Sequence, residues 1–334
     1  MTAGPPSASA IDFGRIGFGG APIGGFRFAL TDEEGTAVAR AAAEAGVRYF
    51  DTSPYYGYGR SELVMGAALR GVPRESFTIS TKVGRVMAPL RPGETVEKWR
   101  PGGLPFEARF DYTRDGALRS LEQSHLRLGL ATIDIALIHD CDVFTHGDPE
   151  PFYREALAGA WPALAELKRQ GVIRATGVGL NEVEASLRFL RDTDIDLIML
   201  AGRYTLLDQG GLDELLPLAQ AKGVGILLAA PFNSGILATG SGHPASYDYA
   251  TARPEIVERV RRIEAVCGRH GVALQAAALQ FPLAHPAMRA VVPGATKPAE
   301  VRQNLAWMNA PIPAAFWQEL RSQRLIRPEA PLPG

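Results

Sequence analysis

Asp51, Tyr56, Lys82 and His139 are the side chains whose types and spacing suggest acid–base chemistry at one corner of the fold. The run Val47-Arg48-Tyr49-Phe50 ends in Asp51, and the chain then turns through Pro54 toward Tyr55 and Tyr56. A buried phenol is a poor acid or base near neutrality, because its reference pKa is about 10. It needs a cation beside it, and the next apolar run, Phe77-Thr78-Ile79-Ser80-Thr81, delivers Lys82 at its end. A third run, Ile133 to Ile138, ends in His139. Singly, each residue has an ordinary reading: Asp51 as a turn cap, Tyr56 as packing, His139 as structural. Three consecutive strand-like runs that each finish in a polar residue fit the C-terminal mouth of a barrel, where strand ends converge.

The elements that must position these residues follow from periodicity. Thr31 with Glu34 three residues on forms a capping box that opens a helix to about Ala45. Helices are then expected over Ser61–Leu69, Asp115–Leu128, Glu155–Arg169, Glu182–Arg191, Asp213–Lys222, Pro254–His270 and Ala299–Met308. Between them fall strands Ile173–Val178, Asp196–Leu200, Gly225–Ala230 and Ala290–Val292, with an extra helix Leu274–Phe281 before the last. Unbroken strand–helix alternation implies a parallel sheet with right-handed crossovers, and about eight such units imply a closed α/β (β/α)8 TIM barrel. An open doubly wound sheet is the alternative. Residues 11–326 form the barrel domain. Residues 1–10 read as a disordered N-terminus, 11–19 as a strand or hairpin closing the barrel bottom, and 327–334 as a C-terminal tail. Gly19 to Gly25 is glycine-rich but lacks the register of a dinucleotide fingerprint, so it reads as a tight loop at the mouth.

Three connections exceed ordinary length. Gly84–Thr113, about 30 residues, is of the kind that is functional or disordered in a compact domain, and its place after Lys82 makes it a substrate wall. Asp140–Tyr153 and Asn233–Ala252 are the others, and the Arg327–Gly334 tail is a candidate fourth contributor.

Composition narrows the partners. Of 334 residues, 46% are hydrophobic, ample for a core, and 35 cationic against 36 anionic side chains leave a net charge of −1. This charge offers no field for nucleic acid or an anionic membrane surface. No run approaches about 18 consecutive apolar residues, so no membrane span is expected. Two cysteines, Cys141 and Cys267, make no disulfide framework, and no signal-peptide pattern opens the chain; a cytoplasmic location is the expectation. Cys141, beside His139 and Asp140, is either a redox-sensitive thiol or a buried filler.

Asp51-Thr52-x-x-x-Tyr56-Gly57, Thr81-Lys82 and Asp134-x-x-x-x-His139 resemble the catalytic tetrad of the aldo-keto reductases, and the similarity runs from about Arg15 to Asn304. Gly177 to Glu182, Leu200 to Asp208 and Phe232 to Gly235 are similar to the branch that contains D-threo-aldose (L-fucose) dehydrogenases and pyridoxal 4-dehydrogenase. The resemblance implies Tyr56 as proton donor and acceptor, with Lys82 stabilising its phenolate, Asp51 anchoring Lys82, and His139 polarising the substrate oxygen. It implies a nicotinamide cofactor; no His/Cys cluster has metal-ligand spacing, so no metal is expected. The residues implied for the cofactor are Asn181, Arg203, Tyr204, Phe232, Asn233, Ser234, Gly235, Pro293, Gly294, Ala295, Thr296, Glu300, Gln303 and Asn304. Gly179-Leu180 stands where the family has a Ser-Asn pair, leaving Asn181 as substitute donor, and Tyr204 is expected under the nicotinamide ring. Gly294 and Glu300 stand where NADP-dependent members place a lysine and an arginine. A carboxylate there repels a 2′-phosphate and suits free ribose hydroxyls, so NAD is expected ahead of NADP, although Lys297 and Arg302 could compensate. Tyr55, Trp99, Phe110 and Asp140 are the expected substrate contacts, for a small sugar or carbonyl compound. The protein is expected as a monomer or small homo-oligomer. A cofactor-sensing binding subunit on the same fold is the non-enzymatic alternative.

Overall fold

The computed structural model describes residues 11–25, 29–94, 102–244 and 246–334. Its strands are β1 (Phe18–Gly19), β2 (Tyr49–Asp51), β3 (Thr78–Val83), β4 (Arg85–Pro89), β5 (Phe106–Phe110), β6 (Ile135–His139), β7 (Ala175–Leu180), β8 (Leu197–Ala201), β9 (Gly225–Ala229), β10 (Ser246–Tyr247), β11 (Ala250–Thr251) and β12 (Met288–Val292). The helices are α1 (Asp32–Glu44), α2 (Arg60–Leu69), α3 (Arg114–Leu128), α4 (Val143–His146), α5 (Glu150–Ala158), α6 (Ala160–Arg169), α7 (Val183–Asp192), α8 (Leu215–Lys222), α9 (Ile236–Thr239), α10 (Pro254–His270), α11 (Leu274–Gln280), α12 (Pro298–Asn309) and α13 (Ala314–Ser322).

Eight parallel strands pair in the order β1-β2-β3-β6-β7-β8-β9-β12, and parallel bridges Ile16–Val291 and Gly19–Gly294 bring the two edges together. The result is a nearly closed barrel, the α/β fold that the alternation predicts. Its strands are apolar on both faces because both are covered: β3 is buried along its whole length. Inside, Tyr49, Ile135, Leu137, Leu197, Met199, Leu227 and Val292 fill the barrel. Outside, Val38, Phe50, Leu121, Leu164, Phe189, Leu216 and Ile263 belong to the second, larger core against the helices. The capping box at Thr31 is formed, with Thr31 Oγ1 accepting from Glu34 N and Glu34 accepting from Thr31 N.

The structure differs from the sequence reading in several places. Residues 11–19 close the bottom through Ile11 and Phe13, but Phe18–Gly19 is the first barrel strand itself and has no antiparallel partner among the described residues. The single helix expected over Glu155–Arg169 is two, α5 and α6, broken at Gly159, where a Cβ would lie 2.7 Å from Arg114 N and 2.8 Å from Thr113 Cα. The Gly84–Thr113 connection is largely an antiparallel hairpin, β4 with β5, in register Arg85–Phe110 to Pro89–Phe106. The Asn233–Ala252 connection carries a second hairpin, β10 with β11. The tail packs on the body, with Ala330 fully buried and Arg327 N donating to Gln209 Oε1; it does not line the mouth. Residues 1–10 and Trp99 lie outside the described residues.

Candidate active site

Asp51, Lys82 and His139 are the last residues of β2, the penultimate residue of β3 and the last of β6, so neighbouring parallel strands carry all three to one rim. Register makes the convergence specific: Asp51 pairs with Ser80, and Lys82 with Leu137. Lys82 Nζ donates to both oxygens of Asp51, at 2.9 and 2.7 Å, and to Thr52 O at 2.8 Å. Its three protons are therefore all engaged. Ser80 Oγ donates to Asp51 Oδ1 at 2.7 Å. The side chains of Lys82 and Asp51 are 2% and 4% exposed, a burial that only such complete pairing sustains.

Tyr56, placed by the turn after β2, holds its ring 4.7 Å from Lys82 Nζ and edge-on to His139, with ring centres 5.9 Å apart. Burial first, then the charges of Asp51 and Asp140, push its phenol well above the usual tyrosine value, against the pull of Arg85. This differs from the sequence expectation that Lys82 would lower it. The ammonium is already neutralised by Asp51, so the pair offers the phenol little net positive charge. Tyr56 is thus a neutral phenol. His139 is neutral too: burial, then the cations of Arg85 and Lys82, hold it well below the usual histidine value.

Arg85 was not picked out by its sequence position. Gly84, at φ +104° with Tyr112 Cε1 2.4 Å from where a Cβ would stand, turns the chain from β3 into β4 and swings Arg85 inward. Its guanidinium, 4% exposed, pairs with Asp140 Oδ2 at 2.9 Å and reaches His139 Nδ1 at 3.2 Å. It lies over the rings of Tyr55 and Phe110, 4.2 and 4.4 Å from their centres. A glycine-preceded arginine just past the lysine strand was the available signal, and only the hairpin's return path gives it meaning.

These groups face one cavity of about 1110 Å³, lined among others by Tyr55, Tyr56, Lys82, Arg85, Phe110, His139, Asp140 and Asn181. Away from the tetrad the cavity runs on to Phe232, Ser234, Gly235, Pro293 and Gly294, room for a long ligand as well as a small one. Asn233, Ser234 and Gly235 have φ of 44°, 59° and 109°. This bend leaves nothing within 4 Å of where a Cβ on Gly235 would stand, a cradle against which a nucleotide could lie. The residues present therefore fit a dinucleotide.

Other expected positions divide. Asn181 lines the cavity and donates to Asp140 Oδ1 and Asp142 Oδ2, each at 3.3 Å. Arg203 does not line it; its guanidinium ties Asn181 O at 2.8 Å to Asp248 at 2.7 Å. Tyr204 is fully buried against Phe281 and His285, because the turn at Gly202 folds it under the loop; it is not positioned beneath a ligand in the cavity. Asn233 is buried, bonding Thr205 and Gly202. Glu300 accepts from Thr296 N at 2.7 Å and from Thr296 Oγ1, so a carboxylate already occupies the Thr296 amide. Ala295 and Asn304 are buried, whereas Gln303 is exposed. A lysine at Gly294 would not fit as it stands, since its Cβ would meet Pro22 Cγ at 2.5 Å. Asp134 sits at the opposite end of β6, accepting from Ile79 N and Arg74. Cys141 is buried with its thiol pushed up to about 12 by burial, which makes it a filler rather than a reactive thiolate. Among the described residues no His, Cys, Asp and Glu group could hold a metal, and no helix is long and apolar enough to cross a membrane.

Comparison with known proteins agrees with this geometry. The model of the aldo/keto reductase family matches residues 15–324. A pyridoxal 4-dehydrogenase from Microbacterium luteolum is 42% identical over 322 residues, covering 93% of this chain and 94% of that protein. A D-threo-aldose 1-dehydrogenase from a Pseudomonas species is 40% identical over 340 residues, covering 98% and 99%. The solved holo form of an aldo-keto reductase from Bacillus halodurans superposes with a TM-score of 0.74 at 23% identity, over 97% of this chain and 95% of that one, a likeness of fold.

Proposed function

From the premise that the chain belongs to the aldo/keto reductase family and is an oxidoreductase, we propose that it oxidises the C1 hydroxyl of an aldose to the lactone, using NAD in preference to NADP. The observation that carries this reading is the convergence of Tyr56, Lys82, Asp51 and His139 on one end of a cavity whose other end has room for a dinucleotide. A bound nicotinamide supplies the hydride acceptor and, when oxidised, a positive ring. Everything else falls to this chain's own residues. In the oxidation the C1 hydroxyl would give its proton to Tyr56 as the phenolate, the form that the positive ring beside it would favour; Lys82 and Asp51 hold the phenol's surroundings fixed, and His139 donates a hydrogen bond to the same oxygen. Phe232, Ser234, Gly235, Pro293 and Gly294 would hold the cofactor, and Glu300, already bonded to the Thr296 amide, disfavours a 2′-phosphate there.

Asp140 and Asn181 form a polar wall suited to the hydroxyls of a sugar. A second substrate, pyridoxal, is favoured by the aromatic rim of Tyr55, Phe110 and Phe144, against which a flat ring would stack, and by the 42% identity to a pyridoxal 4-dehydrogenase. NAD reduction measured over L-fucose, D-arabinose, L-galactose, further aldoses and pyridoxal decides between them. Tyr56→Phe is the control, expected to lower turnover by about 10²- to 10⁴-fold while retaining cofactor binding. Wild-type turnover in Tyr56→Phe would refute the assignment of the proton transfer to Tyr56. Production of an alditol from NADPH alone would refute the direction and the cofactor.

A further inference from the structure

We propose that Arg85 is a positioning residue that commits His139 to donating from Nε2 into the cavity, through a guanidinium fork shared between His139 and Asp140. The proposal rests on the reading of His139 as donor to the substrate oxygen. A guanidinium has N–H donors and no acceptor, and it stays charged in proteins. Arg85 Nη1 lies 3.2 Å from His139 Nδ1, so Nδ1 must present its lone pair; an N–H there would face another N–H. A neutral imidazole with a bare Nδ1 carries its proton on Nε2. The remaining neighbours agree. Ser53 Oγ, 3.2 Å from the same Nδ1, accepts from Tyr55 N and has its hydroxyl hydrogen free to face the ring. On the other side Nε2 is 3.4 Å from Asp140 Oδ1, an acceptor.

The arrangement needs an arginine in particular. One nitrogen addresses His139 while another holds Asp140 Oδ2 at 2.9 Å, a span that a single ammonium does not bridge. The fork cannot drift, being buried between the rings of Tyr55 and Phe110. Asp140 is set for its part by an unusual backbone: at φ +52° it is a non-glycine residue in the left-handed region. Such a conformation is costly for a residue that carries a side chain and persists where surrounding structure holds it. Here it lets Asp140 meet Arg85, His139 and Asn181 together.

The test is the protonation of His139 read directly. In protein labelled with ¹⁵N-histidine, long-range ¹H–¹⁵N spectra separate the two neutral tautomers, and loss of one set of signals in His139→Gln assigns the residue among six histidines. The expected wild-type result is Nε2–H alone. Arg85→Met should give a mixture of tautomers and lower kcat by about 10- to 100-fold, with KM little changed. Arg85→Gln, which keeps a neutral N–H toward Nδ1, should restore the Nε2–H form and much of kcat. A wild-type proton on Nδ1, an Arg85→Met protein that keeps Nε2–H alone, or a loss confined to KM would each overturn the proposal. If Arg85→Met fails to fold, Arg85→Leu, which also lacks the donor, takes its place with the same expected mixture of tautomers. The spectra need no turnover, so failure of the aldose screen or of Tyr56→Phe leaves this result standing on its own.

Discussion

Lys82 shows at the scale of one residue how stability and chemistry share a group. With its three protons on Asp51 and Thr52, Lys82→Met would leave a buried carboxylate with only Ser80 for a partner. Breaking a buried pair from one side costs about 3–5 kcal/mol, so this variant should be far less stable in denaturant titrations as well as inactive; a wild-type midpoint would show that the pair is hydrated in solution. Tyr56 has a pH signature. Because burial and the Asp51 and Asp140 charges raise its pKa, the phenolate fraction grows about tenfold per pH unit throughout the range below it. In the enzyme before cofactor binds, direct ultraviolet titration should show no Tyr56 ionisation up to about pH 10, as the difference between wild type and Tyr56→Phe. His139 has the opposite sign. Its folded-state pKa is depressed below the usual 6.5, so between that value and about 6.5 the unfolded chain binds more protons, and stability is complete above this window and lost on acidification at up to about 1.4 kcal/mol per pH unit. His146 and His285 are shifted the same way, and Asp51 and Asp140, both raised, run against them. The difference between wild type and His139→Gln isolates the contribution: the wild type should have the steeper loss between about pH 6.5 and 5, and parallel curves would contradict a neutral buried His139.

At the scale of elements, the turn from β3 into β4 determines where the site's arginine stands. Gly84→Ala combines a left-handed φ with an approach to the Tyr112 ring. Overpacking of this kind costs about 1–3 kcal/mol, and because it displaces the start of β4, activity should fall much further than stability does; proportionate losses would show that Arg85 does not depend on the turn. The hairpin itself was legible only as a long connection. Arg85–Pro89 and Phe106–Phe110 are five residues each and pair across an intervening segment, and nothing local announces a pairing whose reward is tertiary. The α5/α6 break did have a local signal: within Glu155–Arg169, Gly159 is a poor helix former and Pro162 has no N–H to give the carbonyl of Ala158, while the Thr113–Arg114 backbone passing beside Gly159 leaves no room for a Cβ there. Helix α1 was readable to its first residue, because its cap is made by Thr31 and Glu34 themselves.

At the scale of the molecule, cofactor preference is a question of which charges the barrel gathers at the end of β12. Glu300→Arg, with Gly294 kept because Pro22 blocks a side chain there, frees the Thr296 amide and reverses the local charge. A charged hydrogen bond contributes about 1.5–3 kcal/mol, so the ratio of kcat/KM for NADP over NAD should rise by about tenfold or more. An unmoved ratio would mean that Lys297 and Arg302 already control the site. The sequence by itself determined the barrel and the meeting of Asp51, Lys82 and His139, because strand–helix alternation and a polar residue at or beside the end of three of the strands are local patterns, and parallel register then carries those three ends to one rim. It determined neither the state of the phenol nor the company it keeps. Asp51 cancels the charge of Lys82, Arg85 reaches His139 from a hairpin, Tyr204 turns into the core and Arg203 into a clasp. Each of these depends on distances of a few ångströms between residues far apart in the chain, and electrostatics and packing in a buried site are set by such distances, which only the folded molecule fixes.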